Sequence, residues 1–91
     1  MNLVQIREQI DFIDNEILRL IKKRFEYSKT LAKVKFNEGL KIYDEVRERK
    51  ILDKVKINSG EFEKYVLPVF VEILTSSKLI QQDLHNDMKK N

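Results

Sequence analysis

The first glycine of this chain is Gly39 and its only proline is Pro68, so nothing in the first 38 residues interrupts a helix. Within that stretch apolar side chains recur in a strict alternation of four and three. Positions 6, 10, 13, 17, 20, 24, 27, 31 and 34 read Ile6, Ile10, Ile13, Ile17, Leu20, Arg24, Tyr27, Leu31 and Val34. The period predicts one long amphipathic helix over about residues 2–36. At 1.5 Å per residue it is ~50 Å long. A compact chain of this length is only ~30 Å across. The rest of the chain cannot cover such a helix, and an uninterrupted stripe longer than ~25 residues calls for a coiled-coil-like partner. A second copy is the simplest one. The expected architecture is an intertwined homodimer, in preference to a monomeric bundle with one protruding end.

The remainder reads as two more helices. Asn37–Lys41 is a helix end and loop, with Gly39 suited to the left-handed stop. A second helix is expected over about 43–57, with Asp44 capping its first turn and Ile51, Leu52 and Val55 on its apolar side. Asn58–Phe62 is the next break, with Ser59 as candidate cap for a third helix over about 61–88. Pro68 lies inside that span, so either the helix starts just before it or its first turns are kinked. The terminal DMKKN is expected to fray. There is no strand alternation, so the fold class is all-α, one domain over residues 1–91.

Composition removes several functions. Lys plus Arg is 18 and Asp plus Glu is 15, and the two signs are interleaved, which argues against a nucleic-acid face. No cysteine is present, which excludes disulfides, thiolate metal sites and a thiol nucleophile. No apolar run approaches a membrane span and the N-terminus lacks a signal-peptide core, so the expectation is a cytoplasmic protein that engages no membrane.

Polar residues on core-facing positions point to a site instead. Arg24 interrupts the first stripe, and its guanidinium cannot shed its charge when buried, so an anion must meet it. The third stripe, Val66, Phe70, Ile73, Ser77, Gln81, Leu84 and Met88, is interrupted by Ser77 and Gln81. A second seam on the first helix carries Arg7, Arg24 and Lys35. Arg7 and Arg24 are 17 residues apart, ~25 Å along the helix, too far for one small ligand. An antiparallel partner helix would bring Arg7 of one chain beside Arg24 of the other. Asp44, Arg47 and Glu48 open the second helix. The set offers cations for carboxylates, Lys35 and Gln81 as donors to an oxygen gaining negative charge, and Glu48 as acceptor for a hydroxyl. It contains no nucleophile paired with a base and no metal-ligand cluster, and no cofactor is implied. A reaction that needs only conformational restraint and preorganised electrostatics fits it.

These blocks resemble a known family. IREQIDFIDNEILRLIKKR is similar to the N-terminal helix of the small, all-helical class of chorismate mutases, LAKVK carries that family's lysine, YDEVRERKIL its D-x-x-R-E block and SSKLIQQ its S-x-x-x-Q pattern. All occur in order across essentially the whole chain. The resemblance implies an isomerase, a chorismate mutase. It would convert chorismate to prephenate, on the route to phenylalanine and tyrosine, in two equivalent sites of an intertwined homodimer. It implies that Arg7 enters from the partner chain to bind a carboxylate and that Arg24 clamps a carboxylate. Lys35 would contact a carboxylate and the ether oxygen, and Gln81 would donate to that oxygen. Asp44, through its backbone, and Glu48 would hold the ring hydroxyl, with Arg47 and Ser77 completing the wall.

Other residues read as ordinary. Asp14 suits a structural hydrogen bond or ion pair, and the lone His85 is expected at the surface. Two other functions are consistent with the pattern. One is an isochorismate-pyruvate lyase of the same fold. The other is a non-enzymatic coiled-coil module, which would bind no small dianion. The loop from Asn37 to Tyr43 is a candidate lid whose behaviour depends on Gly39.

Overall fold

The computed structural model describes residues 1–90. The chain forms three helices, α1 (Leu3–Glu38), α2 (Glu45–Asn58) and α3 (Glu63–Lys90), with a single 3-10 turn, Gly60–Phe62, leading into α3. No strand occurs among the described residues.

Local chemistry sets the helix ends. Asn2 and Gln5 form a reciprocal capping box at the start of α1: Gln5 N donates to Asn2 Oδ1 (2.9 Å) and Asn2 N donates to Gln5 Oε1 (3.0 Å). Gly39 ends the helix with φ 68°, Gly39 N donating to the Phe36 carbonyl (3.3 Å) and Leu40 N to the Lys35 carbonyl (2.8 Å). This is a Schellman closure, which needs the left-handed residue that glycine supplies without strain. Asp44 caps α2, its Oδ1 accepting from Arg47 N at 3.0 Å. Glu45 and Glu48 in the first turn of α2 meet the positive end of the helix dipole.

Several expectations are corrected. Ser59 does not cap α3: its Oγ donates back to the Val55 carbonyl, closing the end of α2, and the 3-10 turn separates it from α3. Helix α3 starts five residues before Pro68 and continues through it, and the proline withholds the hydrogen bond its nitrogen would have given the Lys64 carbonyl. The C-terminal turn is helical to Lys90 where fraying was expected, while Asn91 lies outside the described residues.

The three helices form a slab with extents of 55 × 27 × 14 Å and a radius of gyration of 16.6 Å, against ~12 Å for a compact chain of this length. Helix α3 packs against both α1 and α2. It covers only the C-terminal half of α1. Every residue from Met1 to Leu20 is exposed, including Leu3, Ile6, Ile10, Ile13 and Ile17, whose exposures run from 42% to 60%. Within the slab the buried apolar side chains are Ala32 and Leu74, and the buried polar ones are Ser28, Ser77, Gln81 and His85. The most deeply buried positions between α1 and α3 are therefore mostly polar, flanked by half-buried apolar side chains such as Ile21, Phe25 and Ile73.

Candidate functional site

A cavity of about 250 Å³ lies where the three helices converge. Helix α1 lines it with Arg24, Ser28, Leu31 and Lys35, the α1–α2 connection with Ile42 and Asp44, α2 with Arg47, Glu48 and Ile51, and α3 with Leu74, Ser77, Lys78 and Gln81. Seven of the eight residues singled out in the sequence are thus brought to one place: Arg24, Lys35, Asp44, Arg47, Glu48, Ser77 and Gln81. Arg7 is not. It sits in the exposed half of α1, ~25 Å along the helix from Arg24.

The charged groups are held in specific ways. Lys35 Nζ donates to the Ile42 carbonyl at 2.6 Å, which ties the end of α1 to the connection that follows it. Burial pushes the Lys35 ammonium below its usual pKa, and the nearby carboxylates of Asp44 and Glu48 partly oppose that. Glu48 receives Lys78 Nζ at 3.0 Å on Oε2 and 3.1 Å on Oε1, so α2 and α3 are bridged by one ammonium. The same Nζ stands 4.8 Å from the centroid of the Tyr43 ring. The cavity wall carries four cations, Arg24, Lys35, Arg47 and Lys78, and two carboxylates, Asp44 and Glu48, which leaves an excess of positive charge suited to a small dianion.

The neutral groups form a buried chain. Ser28 Oγ and Ser77 Oγ share a hydrogen bond at 2.6 Å across α1 and α3, and Gln81 Nε2 lies 3.2 Å from Ser77 Oγ and 3.3 Å from the Ser77 carbonyl. Gln81 Oε1 is buried without a hydrogen-bond partner. The two ends of an amide have nearly the same shape, so a half-turn of the amide lets Oε1 accept from a serine hydroxyl and leaves an N–H unpaired in the cavity wall. In either orientation Gln81 carries one unspent hydrogen-bonding atom beside the cavity.

Three contributors were not singled out in the sequence. Ser28 lies on the same seam as Arg24, four residues on, and that register was the available signal. Ile42 acts through its carbonyl, which no side-chain pattern reveals. Lys78 adjoins Ser77 and reads as an ordinary surface lysine. His85 requires a correction: it is buried, its Nε2 lies 2.7 Å from the Ala32 carbonyl, and its ring meets Phe36 edge-on at 5.3 Å between centroids. It continues the i+4 row Ser77, Gln81, His85, and it fastens α3 to α1 one turn before Lys35.

Among the described residues no cluster of His, Cys, Asp or Glu is placed to hold a metal ion, and no helix is long and apolar enough to cross a membrane. The wall provides anion clamps and hydrogen-bond donors around a space for a small molecule, without a nucleophile–base pair.

Several known proteins are similar to this chain. The chain is 34% identical to the chorismate mutase of Methanocaldococcus jannaschii, an alignment covering 98% of this chain and 94% of that protein. It is 32% identical to a 3-dehydroquinate dehydratase of Pyrobaculum aerophilum over 86% of this chain and 24% of the relative. It is 28% identical to the bifunctional chorismate mutase/prephenate dehydratase of Aquifex aeolicus over 90% of this chain and 24% of the relative. The chain thus spans about a quarter of two of these proteins and nearly all of the third. The family described as chorismate mutase type II matches residues 6–82, a span holding every residue of the cavity wall, and the chain belongs to that family.

Proposed function

We propose that the cavity between α1, α2 and α3 is where this chorismate mutase, an isomerase, rearranges chorismate to prephenate, and that a second copy of the chain completes it. The observation that carries the reading is the joint placement of Arg24, Lys35, Glu48 and Gln81 around one small-molecule space in a member of this family. The reaction breaks one C–O bond and makes one C–C bond within a single molecule, so it consumes no proton and needs no nucleophile.

Arg24 would clamp a substrate carboxylate, with Arg47 and Ser77 completing the wall around the anionic groups. Held between these anchors, the substrate's two arms are restrained near the geometry in which the new bond forms. Negative charge grows on the ether oxygen as the C–O bond lengthens. Lys35 and, with its amide turned over so that an N–H is the free end, Gln81 would donate to it, and both interactions strengthen in the transition state. Lys35 must then exchange part of its hold on the Ile42 carbonyl for the ligand. Asp44, through its backbone, and the Glu48 carboxylate would hold the ring hydroxyl. A million-fold acceleration corresponds to ~8 kcal/mol. Two or three charge-assisted hydrogen bonds at ~1.5–3 kcal/mol each, with conformational restraint, are adequate in scale.

The dimer reading rests on the unsupported half of α1. A helix protruding with Leu3, Ile6, Ile10, Ile13 and Ile17 exposed presents a continuous apolar surface of a kind that folded chains cover. A cleft of about 720 Å³ adjoins the site at Arg24 and Arg47 and has an apolar floor that includes Val66 and Phe70. An antiparallel α1 laid along this side would carry the partner's Arg7 to the open edge of the pocket beside Arg24.

Incubating the purified protein with chorismate, with isochorismate in parallel, tests the function. Prephenate formed from chorismate and abolished by Arg24→Ala supports it. Pyruvate released from isochorismate with no prephenate from chorismate would overturn it in favour of a lyase.

A further inference from the structure

We infer that Lys78 is a positioning residue for the mutase reaction: it holds Glu48 in place as the acceptor for the substrate's ring hydroxyl. The inference rests on the mutase reading above and assigns a role to a residue outside the cationic clamp.

The geometry is specific. Lys78 Nζ reaches both carboxylate oxygens of Glu48, at 3.0 and 3.1 Å, from a different helix. The two side chains are 33% and 21% exposed, so solvent screens this pair less than it screens an ordinary surface pair. The other face of the ammonium lies against the Tyr43 ring at 4.8 Å, a cation–π contact that restricts where the long side chain can go. Three segments therefore meet at one ammonium: α3, the first turn of α2 and the connection carrying Tyr43.

The charges around Glu48 make this tie matter. Lys35 faces it from α1, Asp44 lies beside it at the N-cap of α2, and Arg24 and Arg47 line the same wall. Lys35 is engaged with the Ile42 carbonyl, and under the mutase reading it would be shared with the substrate. Of these cations Lys78 is the one ion-paired with Glu48. Without it the carboxylate can swing toward Lys35 or Arg47 and leave the position from which it accepts the hydroxyl. A carboxylate accepts a hydroxyl's hydrogen bond more strongly than a neutral acid does.

Lys78→Met, Lys78→Arg and the wild type are compared by steady-state kinetics with chorismate. Lys78→Met should lower kcat/KM about tenfold at neutral pH, the scale of one charge-assisted hydrogen bond weakened to a neutral one, with most of the loss in KM. Lys78→Arg, which can still reach both carboxylate oxygens, should restore most of the loss. In a Glu48→Gln background, Lys78→Met should cost nothing further, because the carboxylate it positions is gone. An active wild type with an indifferent Lys78→Met overturns this assignment alone. So does a loss that persists in the Glu48→Gln background and is not rescued by Lys78→Arg, since that describes general packing. A folded wild type that does not turn over chorismate overturns the mutase reading and this role with it.

Discussion

Lys35 donates to the Ile42 carbonyl at 2.6 Å, so the end of α1 and the connection to α2 are joined by an ammonium that also lines the cavity. Its burial lowers its pKa from the ordinary 10.5. For catalysis the protonated form is the useful one, and it is lost as pH rises through the folded value. The basic limb of kcat/KM should therefore fall below pH 10.5, and a bound dianion should move the corresponding limb of kcat upward. For stability the sign is opposite. The unfolded chain holds this proton more tightly, so the contribution of Lys35 becomes more favourable as pH rises from the lowered value toward 10.5. Denaturant titrations of the wild type and Lys35→Met across that window should show the wild type gaining relative to the variant. A constant difference would contradict the burial argument.

Arg7 and Arg24 give a test of assembly. If the two meet only between chains, Arg7→Ala and Arg24→Ala are each inactive alone, yet their heterodimer keeps one intact site and loses both arginines from the other. Co-expressed in equal amounts, the two variants should recover roughly a quarter of wild-type activity per chain, since half of randomly paired dimers are mixed and half of their sites are intact. Sedimentation of the same samples should report dimers. No recovery from a properly mixed dimer would place Arg7 outside the site.

The Ser28–Ser77 bond, 2.6 Å between hydroxyls at a buried contact, should be felt in stability. Ser28→Ala removes one partner and leaves Ser77 Oγ with Gln81 Nε2 alone, which costs ~1 kcal/mol. The double change Ser28→Ala with Ser77→Ala should cost less than the sum of the two single changes, because it removes both hydroxyls together. Thermal or urea unfolding measures both. Additive losses would show that the two hydroxyls do not act as a pair.

At Gly39 the backbone sits at φ 68°, while a Cβ there would meet nothing within 4 Å. Replacement is therefore limited by the backbone and not by crowding. Gly39→Val should cost ~1–2 kcal/mol and Gly39→Asn less, because Asn tolerates the left-handed region. The same change loosens the connection whose Ile42 carbonyl holds Lys35, so turnover should fall with Val and largely survive with Asn. Unchanged kinetics with Val would remove the connection from the catalytic cycle.

The extent to which the molecule was legible in its sequence follows from what each residue interrupts. The three helices were readable because α1 has no breaker before Gly39 and because Asp44 is a strong cap. Ser59 misled because a serine hydroxyl satisfies a preceding carbonyl as readily as a following N–H. Arg24, Ser77 and Gln81 stood out against apolar stripes. Lys78 interrupts nothing, since a lysine one step off the stripe is what a solvated face also shows. Ile42 contributes a carbonyl, which has no side-chain signature. His85 reads as a surface residue because it is a lone histidine near an end expected to fray, whereas the α1 contact continues along the i+4 row from Ser77 through Gln81 and that end is helical to Lys90.

The polar seam between α1 and α3 has a consequence for how this protein can vary. In most enzymes an inert apolar interior carries the fold while a separate cleft carries the chemistry, and substitutions in one leave the other largely alone. Here the buried side chains are Ala32, Leu74, Ser28, Ser77, Gln81 and His85, and four of the six line the cavity. Within one chain, the residues that would be selected for holding the helices together are largely those that would be selected for handling the substrate. Variants that retune the site are therefore drawn from the few that also keep α3 seated on α1, and substitutions on the solvent face of α2 are the ones free to drift.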